Sequence, residues 1–289
     1  MELFLTQRTV SLRSLIKPLV PERWRPFAID VYLRGQRRYF SLYRRFFGPN
    51  RHYLAVAEQN NITYFPPEWT SVCLENADIV VDLETDYTFD LSDVQYAYSG
   101  HTIEHLSNDA VRRLFRNFYR SMRQGGVIRV ECPDLDLLLD DYKCVHNNDR
   151  KVSKQMVAMF QAWINPEKGS VYDQEHLKLL AGIVTYFDRG HNKGLPPLCS
   201  AEEFHERITT LSNSEFGDWA VSLLTPEQLR DSHLHRNWFN FDKLKNFLTE
   251  AGFSGVVQCR ADETRYGFRM NINRKHRSWC SIFVEAVKA

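Results

Sequence analysis

Four short apolar runs crowd the stretch from His52 to Gly100: "HYLAVAE", "WTSVCL", "ADIVVDL" and "VQYAYSG", with no room for a long helix between the last three. A fifth, "GGVIRVECPD", comes only after "NDAVRRLFRNFYRSMRQ", where Val111, Leu114, Phe115, Phe118 and Met122 fall on one helical face. Ser107 is placed to cap that helix, Asp109 sits in its first turn, where a carboxylate complements the helix dipole, and Gly125-Gly126 stops it. Short β-rich runs without polar alternation belong to strands buried on both faces, and a crossover helix between two of them makes them parallel. The pattern predicts a parallel, doubly wound sheet.

From about residue 135 to 235 the pattern turns helical, in "LDLLLDDYKCV", "SKQMVAMFQAWI", "QEHLKLLAGIVTYF", "SAEEFHERITTL" and "TPEQLRDSH". Ser200 with Glu203 and Thr225 with Gln228 have the capping-box spacing, and Pro226 stands at a first helical position. A final helix, "NFDKLKNFLTEAGF", leads to strands "SGVVQC" and "CSIFVEAVK". The first fifty residues, rich in arginine and aromatics, read as a helical arm broken near Pro18, Pro21 and Pro26. The chain thus divides into a basic helical arm, 1–50, and an α/β domain, 51–289, that carries a helical insertion over about 145–230.

The net charge of +1 conceals a division along the chain. Residues 1–51 hold 11 Lys and Arg against 3 Asp and Glu, whereas His52 to Gly100 has no Lys or Arg and nine acidic residues. A domain with that distribution is not built to track a nucleic-acid backbone. The arm reads either as a solvated charged face or as a patch for anionic lipid or an acidic glycan carrier. The six cysteines form no C-x-x-C pair, which argues against a disulfide frame or a zinc ribbon. The longest nearly apolar run, Leu179 to Phe187, is far short of the roughly 20 residues of a membrane span. The N-terminal stretch lacks the pattern of a secretory signal. The expected location is the cytoplasm, with the arm able to touch the inner face of the membrane.

"YSGHTIEHLS", Tyr98 to Ser107, contains H-x-x-E-H, a zinc-protease signature in which two imidazoles one helical turn apart hold the metal. That chemistry needs His101 and His105 on one continuous helix. Here a β-like run precedes them, Gly100 breaks the chain, and Ser107 caps a new helix, so the motif falls at the carboxyl end of a strand, where open α/β sheets bind ligands. Spacing supplies no third ligand, and a zinc hydrolase is the least favoured reading, with no metal expected.

"SGHTIEHLSNDAVRRLFRNFYRSMRQGGVIRVECPDLDLLLDDY" resembles the middle of the class I S-adenosylmethionine-dependent methyltransferases associated with bacterial surface-polysaccharide biosynthesis: strand, Ser-x-His-x-x-Glu-His, helix, Gly-Gly, strand, Pro-Asp. "HRNWFNFDKLKNFLTEAGF" and "SIFVEAVK" continue the resemblance, which covers about His52 to Lys288, poorly over 145–230. It implies a Rossmann-like sheet of seven strands, one antiparallel. It also implies methyl transfer from S-adenosylmethionine to a hydroxyl of a sugar or glycan precursor. His101 is then the expected base or substrate ligand, and His105 and His235 are further catalytic candidates. Ser99 and Gly100 line the cofactor at the end of their strand, and Asp82 lies near the adenine. Glu104 is expected to hold the loop, Asp134 to cap a helix, Trp69 to pack, and Trp238 to pack or to close the pocket with His235.

The resemblance fails at the first strand, where the family places Gly-x-Gly so that backbone can approach the cofactor closely. This chain has Ala57 and Gln59 there, and Cys73 aligns with the carboxylate that should bind the ribose. These departures favour an alternative function: a cofactor-free scaffold of methyltransferase fold in glycan assembly.

The basic arm makes a salt-dependent prediction. Binding to anionic vesicles is expected to weaken sharply with rising ionic strength, because exposed charges are screened over about 8 Å at 0.15 M salt. Deletion of residues 1–45 is expected to abolish it, as read by vesicle sedimentation. Binding that survives the deletion, or that never occurs at low salt, removes this role.

Overall fold

The computed structural model describes residues 52–57, 69–74, 77–146, 199–230, 234–268 and 280–289, with isolated positions at 21, 24, 180, 183, 184 and 232. The arm expected over 1–50, nearly all of the two helices expected between 153 and 187, and Gln59 lie outside the described residues.

Seven strands form one sheet: β1 (Tyr53–Ala57), β2 (Thr70–Cys73), β3 (Ile79–Val80), β4 (Val94–Gly100), β5 (Met122–Pro133), β6 (Ser254–Cys259) and β7 (Ser281–Val287). Their order is β3-β2-β1-β4-β5-β7-β6. The first five pair in parallel, and β7 runs antiparallel to both its neighbours. This is the Rossmann-like topology of the class I methyltransferases. The order reverses between β1 and β4, which lie in register from Tyr53↔Tyr96 to Ala57↔Gly100. A crevice beyond their carboxyl ends is the switch point at which such sheets take ligands.

The crossover helix is α1 (Asn108–Ser121), capped by Ser107, whose side chain accepts from the Ala110 amide. Its Val111, Leu114, Phe115 and Phe118 are fully buried against Leu54, Val56, Ala97, Ile128 and Val130 of the sheet. Burying each of these larger side chains contributes roughly 1.5 to 3 kcal/mol. The helix ends three residues before the expected Gln124 because Met122 turns extended and pairs with Val94. The chain then bends at Gly125, φ +72°, a conformation that L side chains rarely adopt.

Beyond β5 come α2 (Leu135–His146), α3 (Ala201–Thr210), α4 (Asn213–Ser222), α5 (Pro226–Arg230) and α6 (Phe241–Glu250). Both expected capping pairs form: Ser200 accepts from the Glu203 amide, and Thr225 and Gln228 bond each other reciprocally. The helix α4 was not expected. Its signal was present in Ser212 and Glu215, which make a complete capping box. Trp238 belongs to the cluster formed by α2, α3 and α4, with its Nε1 donating to Asp218 Oδ1 at 2.8 Å. Trp69 packs on the opposite face of the sheet with Tyr53 and Phe268. None of the five described cysteines forms a disulfide. Among the described residues, no helix is long and apolar enough to cross a membrane.

A buried ion pair ties the sheet. Arg129 on β5 faces Glu285 on β7, Nη1 to Oε1 2.5 Å, with their side chains 6% and 0% exposed. Arg129 Nη1 and Nη2 also donate to the carbonyls of Arg260, Ala261 and Glu263, while Glu285 Oε2 accepts from Thr264 Oγ1 and the amides of Arg265 and Tyr266. Two strands and the loop after β6 are thereby tied at one point. Arg129→Met is expected to destabilise the fold by about 3 to 5 kcal/mol because it leaves a buried carboxylate unpaired, whereas adding Glu285→Leu should recover most of that loss. Urea melts of the two variants check this: a double mutant no more stable than the single one contradicts the assignment.

Candidate functional site

Five of the expected site residues lie on the carboxyl edge of the central strands. Ala57 and Gly100 close β1 and β4 side by side, and Cys73 ends β2. Ser99, also on β4, is fully buried, and its Oγ has no hydrogen-bond partner among the described residues. Thr102 Oγ1 bridges the strand ends, within 3.4 Å of the Val56 carbonyl and 3.3 Å of the Gly100 carbonyl. Asp82 is exposed just past β3, and its Oδ1 accepts from the Glu84 amide at 2.9 Å. Gly100 has a packing reason of its own: a Cβ there would lie 2.3 Å from the Tyr98 hydroxyl. Without one, Tyr98 folds over the strand and donates to Glu131 Oε2 at 2.5 Å.

The chain turns sharply at His101, which adopts φ +50°. The following residues form only a single 3-10 turn, Ile103–His105, so His101 and His105 do not share a helix. His101 is 5% exposed, and both its ring nitrogens are engaged. Nδ1 lies 3.0 Å from Glu104 Oε1, and Nε2 lies 2.9 Å from Ser281 Oγ and 3.3 Å from Glu131 Oε1. So placed, His101 braces Glu104 against β5 and β7, and both its ring nitrogens are taken up by these contacts.

Glu104 is buried, at 1% exposure. Burial alone would raise its pKa, but the His101 hydrogen bond and the positive fields of His101, His105 and His235 outweigh it and hold the carboxyl at about 2. Its backbone carbonyl accepts from the amides of Arg236 (2.9 Å) and Asn237 (3.1 Å), and Arg236 Nε donates to the His105 carbonyl. The segment before α6 is thus fastened to the turn, which places His235 beside His105 with ring centroids 4.8 Å apart, edge to face. His105 Nδ1 donates to the Leu234 carbonyl at 3.1 Å, leaving Nε2 as the nitrogen with a lone pair. Glu104, His105 and His235 can present one ligand atom each, all within 4.8 Å of one another. Spacing supplied no third ligand for His101 and His105; folding instead joins Glu104 and His105 to a histidine 130 positions along the chain from His105.

Asp134 caps α2 as expected, Oδ1 accepting from the amides of Asp136 and Leu137. Burial, ahead of its other influences, pushes its carboxyl up to about 6. Glu131, Ser281 and Arg236 were missed as site residues. The first carries a readable signal, a lone acid inside the apolar run "VIRVECP", since charges in buried strands are paired.

No protein-family model and no curated protein matches this sequence. Similar solved structures include an S-adenosylmethionine-dependent methyltransferase from Mesorhizobium loti, with 10% identity, TM-score 0.36 and coverage of 81% of this chain and 90% of that one. Human N-acetylserotonin methyltransferase in complex with S-adenosylmethionine has 10% identity and TM-score 0.34, covering 89% of this chain and 55% of that one. Haemonchus contortus phosphoethanolamine N-methyltransferase 2, also in complex with the cofactor, has 11% identity and TM-score 0.34, covering 87% and 52%. The chain therefore spans about half the length of the last two. At such scores it is the strand order, not superposition, that defines the fold.

The two perturbed acids give opposite pH responses. Glu104, depressed on folding, contributes stability above about pH 4.5 that is lost as pH falls toward 2, on the order of 3 kcal/mol. Asp134, raised on folding, contributes stability that is full below about pH 3.8 and lost as pH rises through about 6. Stability measured by urea melts from pH 3 to 7 is expected to lose part of its acid-side slope in Glu104→Gln, and to rise at pH 7 in Asp134→Asn, which keeps the cap. Unchanged profiles contradict these assignments.

Proposed function

We propose that the chain is an S-adenosylmethionine-dependent methyltransferase acting on a hydroxyl of a sugar or glycan precursor. The observation that carries the reading is the switch point: β1 and β4 end side by side beneath a buried Ser99 hydroxyl that has no partner among the described residues. The residues there fit the cofactor at two of four strand ends, β3 and β4, while Ala57 at β1 stands where a glycine would allow close approach. Ser99 can donate to it at β4 and Asp82 can accept from it at β3, whereas Cys73 at β2 offers a thiol in place of a ribose-binding carboxylate. When bound, the cofactor supplies an electrophilic methyl group, so the protein need only align the acceptor and take a proton. With His101 enclosed, half-buried His105 and His235 are the imidazoles positioned for that proton. The acceptor class comes from the sequence resemblance.

Cys73 and the enclosure of His101 also favour a second reading, a scaffold of the same fold that no longer binds the cofactor. Calorimetric titration separates the two. A Cβ at residue 57 and a long side chain at 59 cost typically about 1 to 3 kcal/mol in a packed site, and the missing carboxylate at 73 roughly 1.5 to 3. Together these are about two to four decades of affinity. Weak or undetectable binding is expected in the unmodified protein, with higher affinity in the combined variant Ala57→Gly, Gln59→Gly, Cys73→Asp. Low-micromolar binding by the unmodified protein ends the scaffold reading; binding by neither protein ends the methyl-transfer reading.

A further inference from the structure

We infer that Glu104, His105 and His235 form a binding site for a divalent first-row transition-metal cation, zinc foremost. The ligand set differs from the H-x-x-E-H signature. His101 is excluded, since both its nitrogens are engaged, and the second imidazole comes from the segment before α6.

Three independent features point to a cation. The donor atoms lie within 4.8 Å of one another, and ligands of a tetrahedral zinc about 2.0 to 2.2 Å from each would lie roughly 3.4 Å apart. Closing the widest pair therefore takes about 1.4 Å, within reach of side-chain rotation. Next, Glu104 Oε1 is committed to His101, while Oε2 is buried and has no hydrogen-bond partner among the described residues. A buried anionic oxygen in that condition is costly, and a cation beside it removes the cost. The third feature is the outer support common to metal ligands. His105 Nδ1–H is held by the Leu234 carbonyl, which aims the lone pair of Nε2 away from the backbone. His101, itself braced by Ser281 and Glu131, holds the carboxylate.

Two imidazoles and one carboxylate select zinc, iron(II), cobalt or nickel over calcium and magnesium, which take oxygen ligands. Three protein ligands leave a coordination position open, and the half-buried state of both histidines puts it on the solvent side. Water or a substrate hydroxyl can occupy that position, where the cation would lower the pKa of the bound oxygen. With the cation bound, His105 and His235 would hold the metal, and the metal-bound oxygen would give up its proton to solvent rather than to these imidazoles; metal binding itself does not depend on the methyl-transfer reading.

The experiment is titration of the untagged, metal-stripped full chain with zinc chloride by calorimetry, and with cobalt chloride by visible absorption. One cation per chain with micromolar or tighter affinity is expected, along with cobalt bands of a four- or five-coordinate N/O site and a melting temperature that rises with added zinc. His235→Ala and His105→Ala should each weaken zinc binding at least tenfold, while His205→Ala, at an exposed histidine elsewhere, leaves it unchanged. Glu104→Gln tests the carboxylate if it folds; the two histidine variants decide the matter if it does not. No stoichiometric binding, or binding that folded His235→Ala and His105→Ala retain in full, overturns the site. Calorimetry with S-adenosylmethionine on the same samples reads the methyl-transfer proposal separately, so either can fail alone.

Discussion

A carboxylate withdrawn from water must either take up a proton or be surrounded by positive charge and hydrogen-bond donors, and Glu104 is surrounded. His101 bonds one of its oxygens, and the fields of three histidines hold its pKa at about 2 despite complete burial. Most of the local geometry follows from meeting this demand. His101 adopts left-handed backbone, which is less uncommon for histidine than for most side chains, and its ring turns inward. Behind it, β5 contributes Glu131 and β7 contributes Ser281. Gly100 stays without a side chain so that Tyr98 can reach the same Glu131. The Glu104 carbonyl in turn fastens the segment before α6. The turn around one buried charge thus joins the ends of β4, β5 and β7 to the last large helix.

The fold was legible because its signals are local. Apolar runs too short for helices, a single amphipathic crossover and Ser-x-x-Glu caps each act within a few residues. The unexpected α4 has the same kind of signal in Ser212 and Glu215, obscured by Gly217 and by few strong helix formers. Gly217 is there for packing, since a Cβ would lie 2.6 Å from the Trp238 ring.

The site was legible only in part. Its residues on the strand ends could be numbered, but their roles depend on contacts between distant positions. His101 pairs across 180 residues with Ser281, and His105 with Leu234 across 129. A motif read along the chain therefore names His101 without showing that Glu104, Glu131 and Ser281 enclose its ring. It named His235 as a catalytic candidate or a pocket wall, but not as the neighbour of Glu104 and His105 that folding makes it.

The placement of β7 between β5 and β6 bears on how the sheet comes together during synthesis. The strand that occupies this interior position is the last of the seven to leave the ribosome. Until it does, β5 presents an unpaired edge, Arg129 has no counter-ion, and the loop after β6 has no carboxylate to gather it. Long-range strand pairing of this kind is slow, and an apolar open edge invites association with other chains. The nascent protein therefore passes through an aggregation-prone stage that ends only when β7 slots in, which makes a chain broken before Ser281 more damaging than the missing length suggests.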